Sequence, residues 1–321
     1  MIKVNSIYVL QGMIDYLNEV PFDVTRRQLY DAYDLYEDFH PDMPSTLRTC
    51  YDGKVYEHFI RTGKNARDVR ESLARTVHDH GIHSALNEFF DVHDGQRCVG
   101  VMGGHALLRT TEQYRQIALL SKRLTELGFF MLSGGGPGAM EATHLGAWMA
   151  GRTQEELQEA LDMLAPYPNF RDEGWLSSAF YVMERFPQQS QYVSLGIPTW
   201  LYGHEPSTPF ATHIAKFFDN SIREDSVLTL PYGGIIYTPG SAGTMQEIFQ
   251  DAVQNHYVSV GLSSPMVFFG RDFWTNQMPV YPMLQNLMQT GMYKNLILTL
   301  TDDLDEIVAE LQKFQESLKK A

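Results

Sequence analysis

Phe129-Phe130-Met131-Leu132-Ser133-Gly134-Gly135-Gly136-Pro137-Gly138-Ala139-Met140-Glu141 passes from a short apolar run through a bare glycine turn into residues that favour a helix. Gly234-Ile235-Ile236-Tyr237-Thr238-Pro239-Gly240-Ser241-Ala242-Gly243-Thr244-Met245-Gln246-Glu247 repeats that plan about a hundred residues later. A strand, a glycine turn and a helix start, in that order, make an anion site. Backbone N–H groups point outward there, and the helix dipole favours negative charge. Two such turns in one chain predict a phosphorylated ligand held between two helix N-termini.

Outward from these turns the same alternation continues. Arg97-Cys98-Val99-Gly100-Val101-Met102 is a compact apolar run ending at Gly103-Gly104. Thr110 or Thr111 then caps a helix with Ile117, Leu120, Leu124 and Leu127 on one face, and Gly128 stops it. The first glycine turn leads into a helix through about residue 150, and Thr153 caps a further helix over Gln154–Leu164. Tyr192–Ile197, Pro265–Phe269 and Leu296–Leu300 read as core strands. Val227–Leu230 reads as another strand or as the end of a helix. Thr301-Asp302-Asp303 caps the last helix. Short continuous apolar strands alternating with helices predict an α/β fold, a Rossmann-like doubly wound parallel sheet with helices on both faces. The aromatic, Gln- and Pro-rich stretch 166–209 predicts a loop over the ligand site, because ligands in open sheets sit at strand C-terminal ends.

Residues 1–95 read differently, as a helical N-terminal extension before a nucleotide-binding domain over 96–321. Phe22, Leu29, Tyr33, Tyr36 and Phe39 recur at roughly helical spacing, as do Ala66, Val69, Leu73 and Val77 and then Ile82, Leu86 and Phe89, with Gly81 as a break. No chemistry is recognisable there.

Composition narrows the function classes. Twenty-five basic residues against 39 acidic ones give a formal charge of −14, which argues against nucleic acid or an anionic membrane as partner. Two cysteines, Cys50 and Cys98, without CxxC spacing fit a reducing cytosol. Neither a signal-peptide pattern nor an apolar run of ~20 residues occurs, so the expectation is a cytoplasmic protein. No H-E-x-x-H or paired-histidine spacing suggests a metal, and no G-x-S-x-G marks a serine nucleophile.

The second turn carries the sharper chemistry. Thr244 and Glu247 stand three apart and share a helix face, which aims Glu247 at the cavity lined by the amides of Gly240, Ser241, Ala242, Gly243 and Thr244. The competing reading is a capping box, with Thr244 as N-cap and Glu247 as its N3 partner. Taken alone, Gly134, Gly136 and Ala139 also satisfy the dinucleotide pattern, but they follow the second strand of the sheet rather than the first. No acidic residue stands outside a helix about 20 positions on, where that pattern needs one. His105 stands at the end of the first strand as a phosphate or base contact or as a surface residue. Asp251 and Asn255 continue the face of Glu247, within reach of a ribose or as structural groups.

Taken together, Ser133 to Ala142 and Pro239 to Glu247 resemble the LOG ("Lonely guy") family, whose signatures are a GGGxxGxM-like turn and PGGxGTxxE. The resemblance covers residues 97–300 or so and implies a nucleoside 5′-monophosphate phosphoribohydrolase working without cofactor or metal. It carries the family's motif glutamate onto Glu247, its threonine onto Thr244 and its upstream arginine onto Arg223, with Gly103-Gly104-His105 in the place of the turn after the first strand. Ser241 replaces the second glycine of the motif, and Glu224 follows Arg223 where a lysine is usual. Gly103, Gly104, His105, Gly134, Gly135, Gly136, Gly138, Met140 and residues 240–244 become the expected phosphate and substrate contacts, and Glu247 and Arg223 the expected catalytic pair. Arg223 would hold Glu247 ionised and orient it, or help neutralise the phosphate, while the carboxylate stabilises an oxocarbenium-like state or activates water. Free base and ribose 5-phosphate would leave, from a substrate such as AMP. The alternative is a non-catalytic nucleotide sensor or carrier on the same fold. Family analogy implies a homodimer or higher homo-oligomer.

Overall fold

The computed structural model describes residues 6–320, with side chains from residue 11 onward. Four helices precede the sheet: α1 (Ser6–Glu19), α2 (Ala32–Leu35), α3 (Tyr51–Thr62) and α4 (Val69–Val92). The sheet region follows as β1 (Cys98–Met102), α5 (Glu112–Glu126), β2 (Phe130–Ser133), α6 (Ala139–Trp148), α7 (Gln154–Leu164), α8 (Trp175–Arg185) and β3 (Ser194–Gly196). Next come β4 (His213–Ile214), α9 (Asn220–Thr229), β5 (Gly234–Tyr237), α10 (Ala242–Tyr257), β6 (Pro265–Phe269), α11 (Val280–Gln289), β7 (Ile297–Thr301) and α12 (Leu304–Leu318). The seven strands are ordered β4-β3-β2-β1-β5-β6-β7, and every neighbouring pair is parallel. This is the α/β doubly wound sheet that the sequence predicts. Strand order reverses between β1 and β5, the switch point beyond whose carboxyl ends open sheets hold their ligands.

The strands form where continuous apolar runs are buried on both faces. All residues of β1, β2, β5 and β6 are buried, as helix-covered parallel strands require. Thr111 caps α5 by accepting from the Tyr114 amide, and Gly128 ends the turn beyond it at φ +84°. α5 and α6 pack tightly because Gly146 has no Cβ: one there would strike the Ala118 carbonyl. Thr153 and Glu156 close a reciprocal capping box on α7.

Of the two readings of Val227–Leu230 the structure takes the helix end, since Val227–Thr229 ends α9 and Leu230 is its C-cap. The stretch 166–209 holds α8 and β3 as well as the loop expected there. Two expectations need correction. Residues 22–39 form only the four-residue α2, although Phe22, Tyr36 and Phe39 do point inward while Tyr33 is exposed. Gly81 does not break α4, which runs straight through it. The glycine is there because the Arg26 carbonyl presses where a Cβ would stand.

The N-terminal segment seals the edge of the sheet. Tyr30 and Ile214 exchange backbone hydrogen bonds at 2.8 and 2.7 Å, pairing antiparallel with the edge strand β4. Phe22, Tyr36, Val55 and Leu86 belong to the same buried cluster as the strands. Asp79 on α4 accepts from the amides of Phe218 and Asp219 at the entry to α9. Deeper still, Lys216 donates to Asp52 at 2.6 Å and to the Ser207 hydroxyl at 3.0 Å, while the Trp200 indole N–H donates to the same Asp52 oxygen at 2.9 Å. Lys216 and Asp52 are both buried. Among the described residues, no helix is long and apolar enough to cross a membrane.

Candidate functional site

The C-terminal ends of β1 and β5, at the switch point, open into a cavity of about 380 Å³, within the range of small-ligand sites. Residues 103–105 after β1, Met140 on α6, Arg223 on α9, and Ser241–Thr244 and Glu247 on α10 all line it. Tyr202 and Glu205 close it from the loop after β3.

At the second turn the anion cradle forms as the glycines predict. Ser241 is the N-cap of α10 and makes no side-chain capping bond. The first amide to bond back is Met245, onto the Ser241 carbonyl at 3.1 Å. The N–H groups of Ala242, Gly243 and Thr244 are therefore left for a ligand, and no acidic residue stands in that first turn. Thr244 is thus the third helical residue and Glu247 the sixth, so the capping-box reading is removed. Gly240 stays bare because Thr244 packs against it.

The first turn is built differently. Of its residues only Met140 lines the cavity, and its glycines lie in close packing. Gly135, at φ +70°, lies against Ile197 and Pro198, and Gly138, at φ +71°, against the carbonyls of Gly104 and His105. The Ala139 amide donates to the Gly104 carbonyl at 3.2 Å. Negative charge at the start of α6 comes from within the protein: Glu141 is buried there, paired with Arg109 at 2.5 Å and accepting from Tyr114 at 2.9 Å. Ser133, His144 and Ser194 form a buried chain at 2.9 Å per link that ties β2, α6 and β3 together, and burial pushes His144 down to about 3.

Gly134 clears space for Arg223. The Arg223 Nε donates to the Ile197 carbonyl at 3.2 Å, and its terminal nitrogen occupies the place of a Gly134 Cβ. Gly136 likewise leaves room for the Met140 methyl. The guanidinium thus hangs over the first turn and faces the cavity, although among the described residues no ion pair within 4 Å joins it to Glu247. Glu247 is mostly buried. Desolvation pushes its carboxyl up to about 7, Arg223 opposes that only in part, and Glu224 adds to it. Glu224 itself accepts from Asn220 at 2.6 Å and Gln246 at 3.3 Å.

Asp251 and Asn255 are buried and do not line the cavity. Asp251 accepts from Tyr237 at 2.6 Å and Asn255 at 2.9 Å, and Asn255 in turn accepts from the Ser264 amide at 2.7 Å. They hold α10 on β5 and β6. His105 stands at the cavity mouth, 3.7 Å from Glu205 and edge-on to Phe170. The sequence patterns missed Tyr202, Glu205 and Glu224, which sit outside both motifs. Among the described residues no group of three or more His, Cys, Asp or Glu is placed to hold a metal ion.

No protein-family model matches the chain, and no curated protein matches it. Solved structures do. One is titled as the molybdenum cofactor binding protein from the phototrophic bacterium Rippkaea orientalis. It has 13% identity and a TM-score of 0.43, over 68% of this chain and 96% of that one. Another is the Chlamydomonas rheinhardtii Moco Carrier Protein, with 15% identity and a TM-score of 0.40, over 68% and 97%. These two are named as a binding protein and a carrier, and the expectation of an N-glycosyl hydrolase finds no support in them. At the site, burial pushes the Glu247 carboxyl up to about 7, and among the described residues no ion pair within 4 Å joins it to the Arg223 expected to hold it ionised.

Proposed function

We propose that this chain is a non-catalytic binding or carrier protein for a small phosphate-bearing ligand of the nucleotide type. One observation carries the reading. Three unbonded amides at the start of α10 line the same cavity as Arg223, and burial pushes the carboxyl of Glu247 in that cavity up to about 7. A phosphate there meets dipole, amides and a guanidinium, and below pH 7 it meets a Glu247 carboxyl that is mostly uncharged. The glycine-turn resemblance to the LOG family supports a nucleotide-like ligand and a homodimer.

Calorimetry with nucleoside 5′-monophosphates and the matching nucleosides, with chromatography of the same mixtures, tests this. Saturable binding of the monophosphates, far weaker binding of the nucleosides and no free base are expected. Equal affinity for both forms removes the phosphate site, and catalytic base release removes the carrier. Sedimentation reports the subunit number.

A further inference from the structure

Glu205 enters the cavity from a loop pinned along its length. Its own amide donates to the Tyr202 carbonyl at 2.8 Å. On one side of it, the Trp200 indole is fixed on Asp52. On the other, Lys216 holds the Ser207 hydroxyl, Tyr36 donates to the Ser207 carbonyl at 2.5 Å, and the Thr208 amide donates to Gly135 at 2.9 Å. The loop is therefore clamped to the N-terminal segment and to the first glycine turn at once.

The carboxylate on this fixed loop accepts no hydrogen bond from any described residue, although its side chain is only 17% exposed. Its histidine neighbours are His105 at 3.7 Å and His204 at 3.8 Å, both beyond hydrogen-bond length and both exposed. One of its oxygens overhangs Gly136, 4.0 Å from where a Cβ would stand. Glu224, by contrast, has its donors within the protein. A carboxylate offers two parallel acceptor oxygens, and on the cavity wall those of Glu205 are free of donors among the described residues and open to a ligand. It also repels phosphate, so the phosphate lies at α10 and another part of the ligand lies at Glu205.

On that phosphate reading, we propose that Glu205 selects a ligand whose ring presents two adjacent N–H donors, the N1–H and 2-amino edge of a 2-amino-4-oxo ring as in guanine or a pterin. An adenine ring offers its amino group beside an acceptor nitrogen and fits one oxygen only. Hypoxanthine keeps N1–H and lacks the amino group.

Calorimetry of wild type and Glu205→Gln against GMP, IMP, AMP, neopterin monophosphate and ribose 5-phosphate tests this. In wild type, GMP or neopterin monophosphate should bind about 10- to 100-fold more tightly than IMP and AMP, the scale of one hydrogen bond to a charged group. Whichever of the two is tighter identifies the ring. Glu205→Gln should erase that preference and leave ribose 5-phosphate within twofold of wild type. IMP binding as tightly as GMP overturns the proposal, as does a variant that weakens ribose 5-phosphate as much as GMP. Failure of every phosphorylated probe, ribose 5-phosphate included, sinks the phosphate site itself and this proposal with it.

Discussion

Glu247→Gln keeps the size of the side chain and removes the only proton it can lose. With its carboxyl pushed up to about 7 by burial, wild-type Glu247 is about one-tenth ionised at pH 6 and almost wholly ionised at pH 8.5. A phosphate on the neighbouring amides disfavours the ionised form, so binding requires the neutral carboxyl and affinity falls as pH rises through about 7. If the bound phosphate excludes ionisation altogether, Kd rises about 30-fold between pH 6 and 8.5. The phosphate's own second ionisation, near pH 6, strengthens binding over lower pH values, which makes the range above pH 7 the clean one. Calorimetry of wild type and Glu247→Gln with the tightest-binding monophosphate, at half-unit steps from pH 7 to 8.5, should give a falling wild-type affinity and a flat variant. Stability moves in a related way. The raised folded value means that the neutral carboxyl's contribution is fully present below about pH 4.5 and is lost as pH climbs to about 7, so Glu247→Gln gains on wild type across that window. A wild-type affinity independent of pH above 7, or an equal slope in the variant, would refute the reasoning.

Asp52→Ala should cost about 3–5 kcal/mol in urea titration, because it leaves the buried Lys216 ammonium without its counter-ion and the Trp200 N–H without an acceptor. Gly138→Ala should cost at least about 1–2 kcal/mol of backbone strain at φ +71° before any collision with the Gly104 and His105 carbonyls, and its urea midpoint should drop accordingly. Removing residues 1–93 uncovers the β4 edge and strands Lys216, so light scattering of the truncated chain should show aggregation, and a soluble species of unchanged mass state would count against the seal.

The glycine turns made the sheet legible because strand, turn and helix each leave a local signature. Thr111, Thr153 and Asp303 are caps readable from neighbours three residues away, and all three stand where the helices begin. What escaped depends on partners distant in the chain. Val227 reads as apolar in strand or helix alike, and only its packing decides. Gly81 has the look of a breaker until Arg26 is seen against it. The two glycine turns look interchangeable in sequence, yet residues 241–244 of one line the cavity while the glycines of the other pack against Ile197, Pro198 and the β1 turn. Arg223 lines the cavity too, but its lack of an ion pair with Glu247 and the burial that raises that carboxyl are properties of the assembled cavity. Glu205 lies in a loop with no pattern at all, and only its lack of a donor marks it.

The ion pair between Asp52 and Lys216 joins groups 164 residues apart in the chain. During synthesis, then, Asp52 emerges long before its partner exists. At ~5–20 residues per second the delay is roughly 10–30 s. Until β1 to β4 have been made, for most of that interval, Phe22, Tyr36, Val55 and Leu86 lack the sheet edge they lie on, and the nascent segment is a natural client for chaperones. Chains arrested on the ribosome before Lys216 is made should be cut readily by protease within residues 22–90, and chains released beyond β7 should resist.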